Sequence, residues 1–157
     1  MERQSIYQTK WARKPKKGKT PSQIEYEDQC ALFRWRDEMV GRIPELALLN
    51  ASLNGVRLTM GQAVKAKRMG MMRGFPDVFL PISRNGFHGL FIELKIKPHI
   101  KADGKMARPV VSPEQVWWQK QLTEQGYCAV ICYGFEAAKG QILYYLQEEK
   151  RNEKTNT

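Results

Sequence analysis

Gly74 to Lys97 reads GFPDVFLPISRNGFHGLFIELKIK, and the fold turns on this stretch. Two extended runs flank PISRNGFHG, a loop dense in turn residues. From Gly89 to Lys97 the residues alternate. Leu90, Ile92, Leu94 and Ile96 take one side; Phe91, Glu93, Lys95 and Lys97 take the other. A strand has period two, so Glu93 and Lys95 share a face above an apolar underside. The earlier run ends a tight Gly-Phe-Pro approach at Asp77, ahead of Val78, Phe79 and Leu80. If the runs pair as a hairpin, Asp77 approaches Glu93. Two carboxylates and an ammonium on one sheet surface are the parts of a magnesium-dependent phosphodiesterase site. A plainer reading exists for each part. Glu-x-Lys on a half-exposed strand is usually a solvated face, and Pro-Asp is an ordinary turn pair.

The chain has 157 residues, enough for one domain with a core. The expected division is a basic flexible arm at 1–20, a domain at 21–148 and a fraying tail at 149–157. No apolar run approaches a membrane span and no secretory segment opens the chain, which predicts a soluble, cytoplasmic protein with no membrane partner. Cys30, Cys128 and Cys132 make an odd set without C-x-x-C. Cys128 and Cys132 lie four apart in the strand-like run YCAVICYG, roughly 13 Å by strand rise, too far for a disulfide. They read as core thiols in a reducing compartment.

Charge points to the partner. Lys plus Arg number 26 against 16 acids, a net charge of +10. Residues 1–20 hold seven basic residues and one acid, and Asn54–Arg73 holds Arg57, Lys65, Lys67, Arg68 and Arg73 with no acid. Such surfaces favour a polyanion, with nucleic acid the default and a solubilising surface the alternative. Tyr7 and Trp11 among the arm's basic residues would stack on bases or dock on the domain.

The remaining elements follow from caps and periodicity. Pro21-Ser22 opens a helix to about Val40, with Ile24, Ala31, Leu32, Trp35 and Met39 on its buried stripe. Glu25 and Gln29 share a neighbouring face. Glu25 is a candidate third acid, with Glu27 a second choice, although Ser22-x-x-Glu25 also fits a capping box. Leu46–Leu53 reads as a first strand, Asn54-Gly55 as a turn, and 60–69 as a helix capped by Thr59-x-x-Gln62. Pro98–Val111 reads as a long loop able to close over substrate. Ser112 and Pro113 open a helix that carries Gln115, Trp118 and Leu122 on one face. Tyr127–Tyr133 is the next strand and Phe135–Lys150 a closing helix. The order is α-β-α-β-β-α-β-α, an α/β fold whose mixed central sheet is flanked by helices. No G-x-G-x-x-G or G-x-x-x-x-G-K is present, so nucleotide binding has no support.

In this order, Glu25…Gln29, Asn54-Gly55-x-Arg57, Lys67-Arg68-x-Gly70, Gly74-Phe-Pro-Asp77, Gly89-Leu-Phe-Ile-Glu93-Leu-Lys95, Ser112-x-x-Gln115 and Gly126-Tyr127 form a series. It resembles the virus-type replication-repair nuclease (VRR-NUC) domain of the restriction-endonuclease-like, PD-(D/E)XK superfamily. The likeness runs from about Pro21 to Leu146, and its specificity lies in the order of motifs that are weak singly. It is similar to the stand-alone form found in phages and bacteria. The resemblance implies a Mg2+-dependent endonuclease, with Mn2+ a substitute. It implies Asp77 and Glu93 as metal ligands, joined by the Leu94 carbonyl and by Glu25 as the helix-borne acid. Lys95 would position or help activate the attacking water, and Gln115 would support the site. Asn54, Arg57, Lys65, Lys67, Arg68 and Arg73 are the DNA-binding candidates. Branched DNA such as a four-way junction, and a homodimer, are the implied substrate and assembly. Two features depart from the family. Its frequent histidine before Asn-Gly is missing from Asn50-Ala-Ser-Leu-Asn54, and the 98–111 loop is long. The alternatives are a non-catalytic nucleic-acid-binding module on a nuclease fold and a sequence-specific restriction enzyme.

Overall fold

The computed structural model describes residues 19–54, 56, 58–100 and 103–147. Most of the basic arm, the tail, Gly55 and Arg57 therefore lie outside the described residues. The elements are helix α1 (Pro21–Met39), a 3-10 turn (Pro44–Leu48), strand β1 (Asn50–Ala51), helix α2 (Met60–Arg68), strands β2 (Val78–Leu80), β3 (Leu90–Lys95), β4 (His99–Ile100) and β5 (Met106–Ala107), helix α3 (Pro113–Glu124), strand β6 (Cys128–Tyr133) and helix α4 (Phe135–Leu146). The four-stranded sheet has the order β1-β2-β3-β6. β1 and β3 flank β2 antiparallel, while β6 joins β3 in parallel. The fold is thus the mixed α/β sheet that the sequence predicts.

β3 is the centre. Leu90 and Ile92 are fully buried and Leu94 nearly so, packed with Leu32 and Trp35 of α1 and Ala138, Ile142 and Tyr145 of α4. Complete burial of one such side chain contributes about 1.5–3 kcal/mol, so the alternating face anchors the register. The hairpin to β2 closes through Asn85 and Gly86, both at positive φ (52° and 80°), inside the Arg84–Phe87 bridge. Two consecutive left-handed residues match the right-handed strand twist, which is why Asn-Gly stands there.

Three expectations change. Leu46–Leu53 is not one strand. Pro44 starts a 3-10 turn; Leu46 within it and Leu49 just after it, three apart, are buried, while Leu48 and the later Leu53 face water. Only Asn50 and Ala51 pair with Phe79 and Val78. Eclipsed i,i+3 side chains bury the apolar run without strand alternation. The 98–111 segment is not a plain loop, because β4 and β5 form a small antiparallel hairpin with His99 opposite Ala107 and Ile100 opposite Met106. The described part of the closing helix ends at Leu146, not Lys150.

The cap of α1 also sits elsewhere. Thr20, not Ser22, accepts the Gln23 N–H, and Gln23 returns its side chain to the Thr20 backbone. That capping box leaves Glu25 free for other work.

Candidate active site

The register of the hairpin builds the site. Val78 faces Ile92 and Leu80 faces Leu90, so Asp77 arrives beside Glu93 and Leu94. Asp77 Oδ2 accepts the Leu94 backbone N–H at 2.8 Å, and the Asp77 carbonyl accepts the Ser52 N–H at 2.8 Å. Both ends of the residue are held, so its carboxylate is preset. Asn54 contributes two residues upstream, donating from Nδ2 to the Phe75 carbonyl at 3.1 Å.

Glu93 and Lys95 are not a solvated pair. They are only 6% and 9% exposed. Lys95 Nζ lies 3.0 Å from Glu93 Oε1. The same Glu93 oxygen accepts from Gln115 Nε2. Gln115 Oε1 meanwhile accepts the Ser112 N–H at 2.8 Å. One side chain therefore completes the cap of α3 and grips the acid on β3.

Gly74 makes that grip possible. It has φ +77, and a Cβ there would fall 2.6 Å from Glu114 Cβ and 2.8 Å from the Gln115 N. The backbone before Asp77 lies directly on the first turn of α3, an approach open only to glycine. Phe75 then packs edge-on to Phe91 at 5.7 Å and to Trp118 at 4.9 Å between centroids.

The electrostatics show crowded negative charge. Burial, and then the nearby Asp77 carboxylate, push Glu93 up to about 7, although the Lys95 ammonium opposes them. Burial raises Asp77, against the pull of the Leu94 N–H and Lys95. Glu25 is raised by burial as well, with Lys95 lowering it and Asp77 raising it further. Each acid feels Lys95, and Glu93 and Glu25 also feel Asp77, so all four groups share one locality. Glu25 and Gln29 line, with Asp77 and Leu94, a cleft of about 430 Å³ between the start of α1 and the end of β3. Glu27, the second choice, instead pairs with Lys19 on the surface.

Among the described residues, no three His, Cys, Asp or Glu side chains form a ready metal cage. Mg2+ does not ask for one, because it keeps waters and takes one or two carboxylates plus phosphate oxygens. Asp77 and Glu93, hard oxygen donors held in excess of nearby positive charge, fit that demand. The DNA-binding candidates lie apart. Lys65, Lys67 and Arg68 are exposed on the last turn of α2, where cations also complement the helix dipole. Arg73 is exposed, and its carbonyl accepts from Trp118 Nε1 at 3.1 Å. Arg57 is outside the described residues. The sequence reading missed the Gly74 contact with α3 and the Phe75–Trp118 pair. The only signal was the Gly-Phe-Pro approach itself.

No helix among the described residues is long and apolar enough to cross a membrane. No family model and no curated protein matches this chain. One solved structure, described as a VRR_NUC domain protein, is similar to it. The two share 25% sequence identity with a TM-score of 0.60, over 78% of this chain and 88% of that one. The fold is accordingly VRR-NUC-like and restriction-endonuclease-like.

Proposed function

We propose that this protein is a divalent-metal-dependent DNA endonuclease. The observation that carries the reading is the meeting of Asp77, Glu93 and Lys95, with Glu25 alongside and Gln115 behind, at one end of β3. A pure binder has no need of buried acids facing a phosphate. The likeness to a VRR_NUC domain protein supports the same class.

Asp77 and Glu93 would hold Mg2+ or Mn2+, with the Leu94 carbonyl and Glu25 completing the protein's share. The bound ion supplies a Lewis acid and a water of lowered pKa. Lys95 holds the attacking water or the scissile phosphate by charge, in a site too dry to screen it. Gln115 fixes the Glu93 carboxylate so that one oxygen stays turned to the site. The reaction adds water to phosphorus and breaks one P–O ester bond, leaving a phosphate monoester and a hydroxyl. Branched DNA, including the four-way junction, is the proposed substrate. A homodimer suits paired cuts on it.

The test is a labelled panel of linear duplex, single strand, flap, splayed arms and four-way junction, each with Mg2+, Mn2+ or EDTA. Metal-dependent cutting concentrated on branched members supports the reading. Tight, salt-sensitive binding without cutting under any metal moves the protein to the binding-module class.

A further inference from the structure

Helix α2 buries none of its residues. Met60, Val64, Met69 and Met72, on and just after it, are all at least half exposed. A cluster of apolar surface on one element of a strongly basic protein calls for an occupant. Beside it lies a cleft of about 640 Å³, whose lining includes Ala66, Met69, Met71, Met72, Phe75 and Trp118. Its size is in the range of ligand sites.

Its chemistry selects the occupant. Phe75 and Trp118 stand edge-to-face, 88° apart. Trp118 is pinned by its hydrogen bond to the Arg73 carbonyl, so the aromatic wall is rigid. The methionines opposite in character are adaptable and polarisable, suited to a flat guest of varying outline. Lys65 lies in the lining, Lys67 and Arg68 follow on the same helix, and no acid occurs from 54 to 73. An apolar peptide would leave those cations unused. A nucleotide supplies a ring for the apolar lining and a phosphate for the cations.

Position supports the same guest. Phe75 precedes Asp77 by two residues, and Ser52 lines both this cleft and the cleft of Glu25 and Asp77. A base held here would sit on the strand whose phosphate lies nearest the carboxylates. Part of the polar lining is already engaged: Asn54 Nδ2 donates to the Phe75 carbonyl, and Gln62 Oε1 accepts in the Thr59 cap. A lining of Met69, Met71, Met72, Phe75 and Trp118 suits contact with a ring's faces, which is tolerant of base identity.

We infer that the cleft receives one unpaired nucleobase of the DNA substrate, next to the scissile phosphate. The inference rests on the nuclease reading and gives it a source of structure selectivity. A base in an intact duplex must leave its stack to enter, whereas a base at a branch or gap has already left it.

The test uses the full chain in EDTA, so that binding is measured without cleavage. The probe is a duplex with a short single-stranded branch, carrying 2-aminopurine or an abasic residue at each unpaired position in turn. At one position, binding should quench 2-aminopurine, and the abasic probe should bind about tenfold more weakly. Met69→Glu, at a position 77% exposed, should keep the fold and erase that difference. Equal binding of abasic and base-containing probes at every position, with unchanged emission, overturns the inference. So does a dimer that Met69→Glu splits while DNA binding stays indifferent to the base, which gives the cleft to a second copy. Mg2+-dependent cleavage of the same probes is scored apart. Cutting without base dependence sinks the cleft alone. Base dependence without cutting sinks the nuclease reading and leaves the cleft standing.

Discussion

Asp77 Oδ2 accepts the Leu94 backbone N–H at 2.8 Å, which ties the first acid of the site to the strand that carries the second. The bond has two parts that mutation separates. Asp77→Asn keeps an oxygen for the Leu94 N–H and loses only charge. Its melting temperature should match or exceed wild type, because a desolvated carboxylate is gone, while hydrolysis falls by about 100-fold or more. Asp77→Ala also strands the N–H, at about 1–3 kcal/mol, and should melt several degrees lower. Thermal melts beside cleavage rates separate the cases. An Asn variant that still cuts well would contradict the assignment.

Glu93 should make stability fall with rising pH. Burial and Asp77 raise it from the ordinary 4.5 to about 7, so between those values the native state binds more protons than the unfolded chain. The stabilisation is fully present below about pH 4.5 and lost as pH rises through about 7, on the order of 3 kcal/mol in EDTA. Asp77 and Glu25 are shifted the same way and add to the slope. Glu93→Gln should flatten much of it in melts from pH 5 to 8. Mg2+ should raise the wild-type melting temperature more at pH 8 than at pH 5.5, since protons compete for the same oxygens. A slope of opposite sign would mean that Lys95 dominates.

Gln115 joins the Ser112 cap to Glu93. Gln115→Glu retains the capping box but sets another carboxylate against Glu93. The pH profile of cleavage should move to higher pH with little loss of stability. An unmoved profile would reduce Gln115 to a helix cap.

Gly74→Ala should be severe for a one-carbon change. The new Cβ meets the α3 backbone below 3 Å, at a φ of +77 that disfavours any side chain. A loss of about 2 kcal/mol or more is expected, with cleavage falling further as Gln115 and Glu93 separate. Gly61→Ala, with open space around it, serves as the control and should be silent or mildly stabilising. Equal effects of the two would remove the close approach from the account.

The site was legible where chemistry follows strand period. Leu90-Phe-Ile-Glu-Leu-Lys95 alternates cleanly, so the face of Glu93 and Lys95, and the approach of Asp77, could be read before any coordinates. Glu25 was obscured because two overlapping patterns, Thr20-x-x-Gln23 and Ser22-x-x-Glu25, both fit a capping box, and only backbone hydrogen bonds choose between them. Leu46–Leu53 misled because a short apolar run carries no period of its own; Pro44 decided for the 3-10 turn. The 98–111 hairpin pairs only two residues on each side, too few to leave an alternation. The Met69–Trp118 cleft joins segments more than 40 residues apart, a contact that no local pattern encodes.

We propose that Asp77, Glu93 and Lys95 are a hydrolytic centre and not a buried structural cluster. The most direct test is single-turnover cleavage of a labelled branched DNA with Mg2+, by wild type and Glu93→Ala. DNA binding in EDTA is measured on the same preparations. Metal-dependent cutting by the wild type, loss of cutting in the variant, and binding affinities within about twofold of each other with the same steep salt dependence are expected. A folded variant that cuts as fast as wild type would contradict the proposal.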